Sequence, residues 1–397
     1  MKRPKTFRIA VRKYGPFESA IRKQWDAFER AVSTGLELEA EALDLHPLFD
    51  TLFTREGLKR GAWDVAFLVT DWVAAACDSK AVLNLAPLIA ADPPDHYPAG
   101  WTPSLLRLHQ IGGQVLGLPY HDGPECLIYR KDLFEDAGEP VPATWDEFRR
   151  VARHLTRPKD GLYGTVFAAF PDGHNTVYDF CLQLWTRGGE LFDGNGNLRL
   201  NTPAAIDALE FYRGMLNDPA VHPGAREFDS VKSGLAFAAG EIAMMVNWFG
   251  FATMAETVHD SRVRGRIDVA TVPHAPGCSG VSLNVYWILA IGAGSPHRDV
   301  AYRFLRHCAT ARMDKLLTLE GAIGCRKSTW TDPDVNRIIP FYQRMVELHE
   351  SARELPRMPG WPQIARVIDE LVLAVINTGQ PVAELAAQAQ DRLNVMR

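Results

Sequence analysis

Six cysteines in 397 residues, Cys77, Cys126, Cys181, Cys278, Cys308 and Cys325, form no C-x-x-C pair and no zinc spacing. Buried free thiols are the expectation for such scattered positions. Long apolar runs are missing too, since none approaches the ~20 residues that a membrane span requires. Positive charge is not in excess: the formal net charge is −5, and the basic runs Arg149-Arg150 and Arg262–Arg266 are short, so no nucleic-acid partner is expected. Catalytic signatures are likewise absent. There is no H-E-x-x-H, and Gly277-Cys-Ser-Gly280 has the wrong spacing for a nucleophile elbow. No Gly-Lys-Ser or Gly-Lys-Thr step occurs, which excludes a P-loop. Asp193-Gly-Asn-Gly-Asn197 copies the start of a calcium loop, but Leu198 and Ala204 stand where that loop requires glycine and glutamate. A tight turn is the reading there, and no cofactor or metal is expected.

What is present is a chain of ordinary globular composition, 47% apolar and 23% charged, long enough for two domains because single cores stop growing at roughly 250 to 300 residues. Strand and helix patterns alternate through both halves, the α/β signature of open, mainly parallel sheets covered by helices. Thr6–Val11 reads as a strand, and Phe17, Ile21, Trp25, Phe28 and Val32 recur at helical spacing. The most informative stretch is Gly117–Gly138. Pro119 and Gly123 interrupt regular structure around His121, Asp122 and Glu125, and Cys126–Arg130 then reads as a strand. Thr144, with Glu147 three residues on, forms a capping box at the start of a helix.

This order resembles the extracellular solute-binding proteins of bacterial ABC importers, the family that carries sugars and oligosaccharides. Further segments carry the resemblance: Gly61–Trp72, a buried strand ending in polar residues; Gln183–Asp193, with its Gly-Gly helix end; Gly234–Phe249; and Trp287–Leu305. The resemblance implies a two-lobed periplasmic-binding-protein fold with a ligand cleft between lobes. By analogy, residues 1–121 and 276–324 form the N-terminal lobe, and 122–275 and 325–397 the C-terminal lobe.

Open α/β sheets bind ligands where their strands end. The residues so placed are Tyr14, Asp71, Trp72, Asn247, Trp248, Asn284 and Tyr286, together with His121 and Asp122 at the expected crossing. His174, Asn175 and Tyr178 open a helix, Arg326 lies in the last expected crossing, and Trp361 heads a helix whose apolar side carries Ile364, Ile368, Leu371 and Val375. Each has a plainer reading: a tryptophan or tyrosine at a core rim, an asparagine completing a turn, Arg326 as an ion-pair partner, His174 as a helix cap. Metal binding by His121, Asp122, Glu125 and Cys126 is disfavoured, because alternation along a strand sends successive side chains to opposite faces.

The resemblance implies a solute-binding component that captures a carbohydrate, polyol or sugar acid by hinge closure and delivers it to a membrane permease. It is expected to be a monomer and not an enzyme. The alternatives are a carbohydrate-active hydrolase using Asp122 or Glu125, and a cytoplasmic sensor that keeps the fold. No apolar run of about 7 to 15 residues follows Met1–Thr6 before the first strand, so a secretory signal is not seen. The resemblance nonetheless implies a periplasmic or cell-surface location.

Overall fold

The computed structural model of the chain describes residues 5–358 and 360–395. Most of the basic start, residues 1–4, and Pro359 before Trp361 lie outside them. The described chain divides into two compact units, the first made of residues 5–123, 284–349 and 354–358, the second of 124–283, 350–353 and 360–395.

In the first unit a five-stranded sheet runs in the order Glu37–Leu43, Thr6–Arg12, Val65–Val69, Trp287–Ile291, Leu118–His121. The first three strands are parallel, and Trp287–Ile291 is antiparallel to both of its neighbours. Val65–Val69 is apolar at every position and fully buried, as a strand covered on both faces must be. The edge strand Glu37–Leu43 exposes Glu37, Glu39 and Glu41 in alternation, a charged border that resists further pairing. The helix Gly15–Val32 starts with Pro16 in its first turn and ends where Ser33 takes a left-handed backbone conformation. It buries Phe17, Ile21, Trp25 and Phe28, while Val32 in its last position is only half-buried.

The second unit departs from the largely parallel expectation. Its three-stranded sheet, in the order Met244–Trp248, Glu125–Arg130, Ile267–Ala270, pairs antiparallel at both joints. Parallel pairing among the described residues of this unit is limited to the two-residue ladder of Ser282–Leu283 with Ala352–Arg353 and to single bridges, Thr144 with His274, Tyr163 with Ile242 and Thr165 with Val221. The strand Glu125–Arg130 carries the chain into this unit, and its two partners run the opposite way beside it. The Thr144–Glu147 capping box forms as expected and opens the helix Trp145–Leu155, which buries Trp145, Phe148, Val151 and Leu155. After the helix Asn175–Trp185, Gly188 has a positive φ of 70°, and a Cβ on Gly189 would lie 2.3 Å from a Leu184 methyl, so both glycines are demanded by the turn. The helix Trp361–Asn377 packs on Asn175–Trp185, joined by Thr176 Oγ1 donating to Asp369 Oδ1 at 2.5 Å. Its buried stripe is Val367, Ile368, Leu371, Val372, Val375 and Ile376; Ile364 is only half-buried.

Two expected boundaries differ. Residues 276–283, assigned by analogy to the N-terminal lobe, pack in the second unit, and residues 325–349, assigned to the C-terminal lobe, pack in the first. The reason for the latter is a buried polar knot: Asp314 accepts from the Cys325 and Arg326 N–H groups (2.8 and 3.2 Å) and from the Thr329 hydroxyl (2.5 Å), and Trp330 Nε1 donates to the Gly324 carbonyl. These bonds hold the chain beside the helix Ala311–Leu319 well past residue 324.

Candidate functional site

Several first-unit candidates are structural. Tyr286 is fully buried; its hydroxyl donates to the Leu105 carbonyl (2.7 Å) and lies 3.0 Å from His109 Nδ1. Arg326 is 2% exposed. Its Nη1 donates to the Asp95 and Ala309 carbonyls at 2.9 and 2.8 Å, and its guanidinium lies 4.6 Å from the centre of the Trp101 ring. The plainer reading of Arg326 therefore holds: it ties the segment around Asp95 to the end of the helix Arg298–Cys308. Asp122 is 1% exposed, with Oδ2 taking the Nε2 of the buried His349 at 2.6 Å, while His349 Nδ1 lies 2.9 Å from Ser104 Oγ and its ring stacks on Trp330. A carboxylate enclosed in this way is not presented as a hydrolytic acid. His121 Nδ1 accepts from the Ile323 N–H at 2.9 Å, its ring meets Phe17 edge-on, and burial pushes its pKa down to about 3, so it is a neutral imidazole.

The remaining first-unit candidates sit at the ends of elements. Tyr14 caps the helix Gly15–Val32 and donates to the Gly321 carbonyl at 3.2 Å. Asp71 is half-buried in the turn Thr70–Trp72 that follows the strand Val65–Val69. Trp72 is buried edge-on to Phe49 and Trp287. Asn284 is fully buried, and neither side-chain amide atom has a hydrogen-bond partner among the described residues.

The second unit assembles a different group. Register pairs Glu125 with Trp248, so these two side chains share one face of the sheet. Tyr178 from the helix Asn175–Trp185 meets the half-buried Trp248 edge-on at 5.6 Å, and His174 meets Tyr178 in the same way at 5.7 Å. Glu125 is 3% exposed, and no side-chain hydrogen bond or ion pair engages its carboxylate among the described residues. Burial, and behind it the charge of Asp179, pushes Glu125 well above the usual carboxylate range. Asp179 accepts from the Tyr212 hydroxyl at 2.9 Å, yet burial holds its pKa at about 7.

Two asparagines are engaged at home. Asn175 Nδ2 donates to Asp172 Oδ2 at 2.7 Å, within a cap in which Asp172 also accepts from the His174 and Asn175 N–H groups. Asn247 Nδ2 donates to the Ser230 carbonyl and its Oδ1 accepts from the Trp248 N–H, which fixes the strand end. Trp361 heads its helix and is buried at 3%. Asp193 likewise serves its turn, accepting from the Asn195 and Asn197 N–H groups and from Arg199.

Sequence reasoning missed Asp172, Asp179 and Asp369. The signal was available for Asp179 alone: it follows Tyr178 and lies four residues beyond Asn175, one helical turn on the same face.

Comparison with known proteins places these features in context. The model of the family described as bacterial extracellular solute-binding protein matches residues 15–315. A probable ABC transporter-binding protein of Deinococcus radiodurans is 26% identical over 328 residues, covering 79% of this chain and 75% of its own. A mannitol-binding protein of Pseudomonas aeruginosa is 24% identical over 317 residues, 74% of this chain and 72% of its own. Among solved structures, an ABC transporter solute-binding protein of Agrobacterium radiobacter K84 in complex with ribitol superposes with a TM-score of 0.90 at 25% identity, covering 99% of this chain and 98% of that one.

Proposed function

Because the chain belongs to the bacterial extracellular solute-binding proteins, we propose that it recognises a carbohydrate or polyol, with Trp248, Tyr178 and the carboxyl groups of Glu125 and Asp179 as the second unit's contacts. It is the solute-binding component of an ABC importer for sugars or polyols. The observation that carries the ligand reading is the pairing of an aromatic surface with the Glu125 carboxyl, which has no side-chain partner among the described residues. Ring faces cover the C–H faces of a sugar or polyol, and carboxylate oxygens accept from its hydroxyls. The ribitol complex and the mannitol-binding relative favour a short polyol or monosaccharide.

In the first unit, Asp71, Tyr14 and Trp72 remain candidate contacts. Membership of the family supports a periplasmic or cell-surface location and delivery to a membrane permease. The family is substrate-binding, and the enclosure of Asp122 by His349 argues against the hydrolase reading.

A thermal-shift screen of the full chain against monosaccharides, oligosaccharides, sugar acids and polyols tests this directly. A ligand at 100 times its dissociation constant stabilises by about 2.7 kcal/mol. Mass spectrometry after prolonged incubation is expected to recover the ligand unchanged; catalytic loss of ligand contradicts the reading, as does a screen without hits.

A further inference from the structure

The second unit contains a run of carboxylates that the reading above uses only in part. Charge coupling links Glu125 to Asp179, Asp179 to Asp172, and Asp172 to Asp369 across the first strand of the unit and two packed helices. None of the four makes an ion pair with arginine or lysine among the described residues, although elsewhere in the same unit Asp132, Glu139, Asp207, Asp218 and Glu370 all do. Burial raises the pKa of Asp369, and the base that acts in the opposite direction is His174. Asp172 and Asp369 are held by neutral donors, Asn175 and Thr176. Asp179 has only the Tyr212 hydroxyl.

A separate observation points to a ligand. Glu125 Oε2 is buried without a partner, in a carboxylate 97% removed from solvent, on the sheet face that carries Trp248. A carboxyl buried in this state ionises only at a cost unless a positive group arrives. A metal ion does not fit, because among the described residues no three His, Cys, Asp or Glu side chains converge on a common centre. Charge spread along a strip beside an aromatic pair suits an organic cation, whose ammonium can meet a carboxylate while its C–H groups lie on rings.

We propose that this strip selects a polyhydroxylated ligand carrying a basic amine, an amino sugar or amino polyol, with Glu125 and Asp179 receiving the ammonium and Trp248 and Tyr178 covering the carbon skeleton. The inference rests on the carbohydrate or polyol reading and narrows it. In the absence of ligand, the raised pKa values of Glu125 and Asp179 mean that a proton occupies part of the place that the ammonium takes.

Calorimetric titration of the full chain with probes matched except for the amine provides the test: D-glucosamine against D-glucose, and 1-amino-1-deoxy-D-glucitol against D-glucitol, near neutral pH. The amine of at least one pair is expected to bind about tenfold more tightly than its neutral partner, as a charge-assisted bond exceeds a neutral one. Glu125→Gln and Asp179→Asn, checked for fold by circular dichroism, should each reduce the amine-to-neutral affinity ratio. Equal or tighter binding of the neutral member in both pairs overturns the inference and leaves the polyol reading intact. Binding of neutral sugars from the wider screen with no binding of either amine does the same. Silence from the amines and from the whole neutral panel overturns both.

Discussion

Asp314 in the first unit and Glu125 in the second are both carboxylates enclosed by their own unit, and they are treated in opposite ways. Asp314 receives two backbone N–H groups and a hydroxyl, and although burial lifts its pKa to about 6 its charge has three donors in place. Glu125 has no side-chain partner among the described residues. The same contrast separates Arg326, which bonds two carbonyls and covers a tryptophan ring, from the carboxylate strip of Asp172, Asp179 and Asp369, which has no arginine or lysine partner among the described residues. Orphaned buried polar atoms occur in both units, those of Asn284, His109 and Arg326 among them in the first; what sets Glu125 apart is a buried carboxyl without a side-chain partner on the sheet face that carries Trp248. The ligand chemistry is assigned chiefly there for that reason.

Substitutions can break this comparison, and the largest effect is expected at Arg326. Arg326→Ala removes a buried cation whose hydrogen bonds and ring contact join three segments, and it should lower unfolding free energy by about 3–5 kcal/mol, read from urea midpoints. A loss under about 1 kcal/mol would mean that Arg326 is not structural. Tyr286→Phe leaves the Leu105 carbonyl and His109 Nδ1 short of a partner and should cost about 1–3 kcal/mol in the same measurement, with ligand affinity unchanged. Asp71→Ala and Trp248→Ala should each weaken ligand binding by about tenfold, through lost charge-assisted hydrogen bonds and lost stacking area respectively. Wild-type affinity in either folded variant removes that residue from the site.

The pH response should also separate the units, with a smaller effect. The folded-state pKa of Asp179 is raised to about 7 by burial, above its unfolded value near 4, so the native state holds the extra proton. Its favourable contribution is therefore complete below about pH 4 and lost as pH rises to about 7. Asp179→Asn should flatten that decline, since the groups facing it, Glu125, Asp172 and the Tyr212 hydroxyl, stay in place. His109 and His121 in the first unit have the opposite sign. Burial lowers both to about 3, so stability is full above about pH 6.5 and is lost as pH falls toward 3. Asp179→Asn should leave that acid limb alone; urea midpoints measured across pH on wild type and variant decide both points.

Much of the architecture was legible because it rests on local periodicity. The stripe Phe17, Ile21, Trp25, Phe28, the Thr144–Glu147 cap and the apolar strand Val65–Val69 are each specified by neighbours within a turn or two. Strand direction in the second unit was not, because antiparallel pairing there joins segments more than a hundred residues apart. The site was harder for the same reason. Whether a polar residue at a strand end is free for a ligand depends on remote partners, Leu105 and His109 for Tyr286, Asp95 and Ala309 for Arg326, Ile323 for His121. Glu125 shows the limit most clearly: its residue type suggested a catalytic acid, and only its surroundings reveal a buried carboxylate beside an aromatic pair.

The central claim is that Glu125 serves the ligand and not the fold. It is tested by measuring Glu125→Gln twice, by calorimetric titration with a ligand from the screen and by urea unfolding without ligand. The account predicts that affinity falls by at least about tenfold while the unfolding midpoint stays level, because without ligand the carboxyl that Gln replaces holds its proton and has no side-chain partner to lose. Unchanged affinity, or a midpoint that falls together with the affinity, would contradict it.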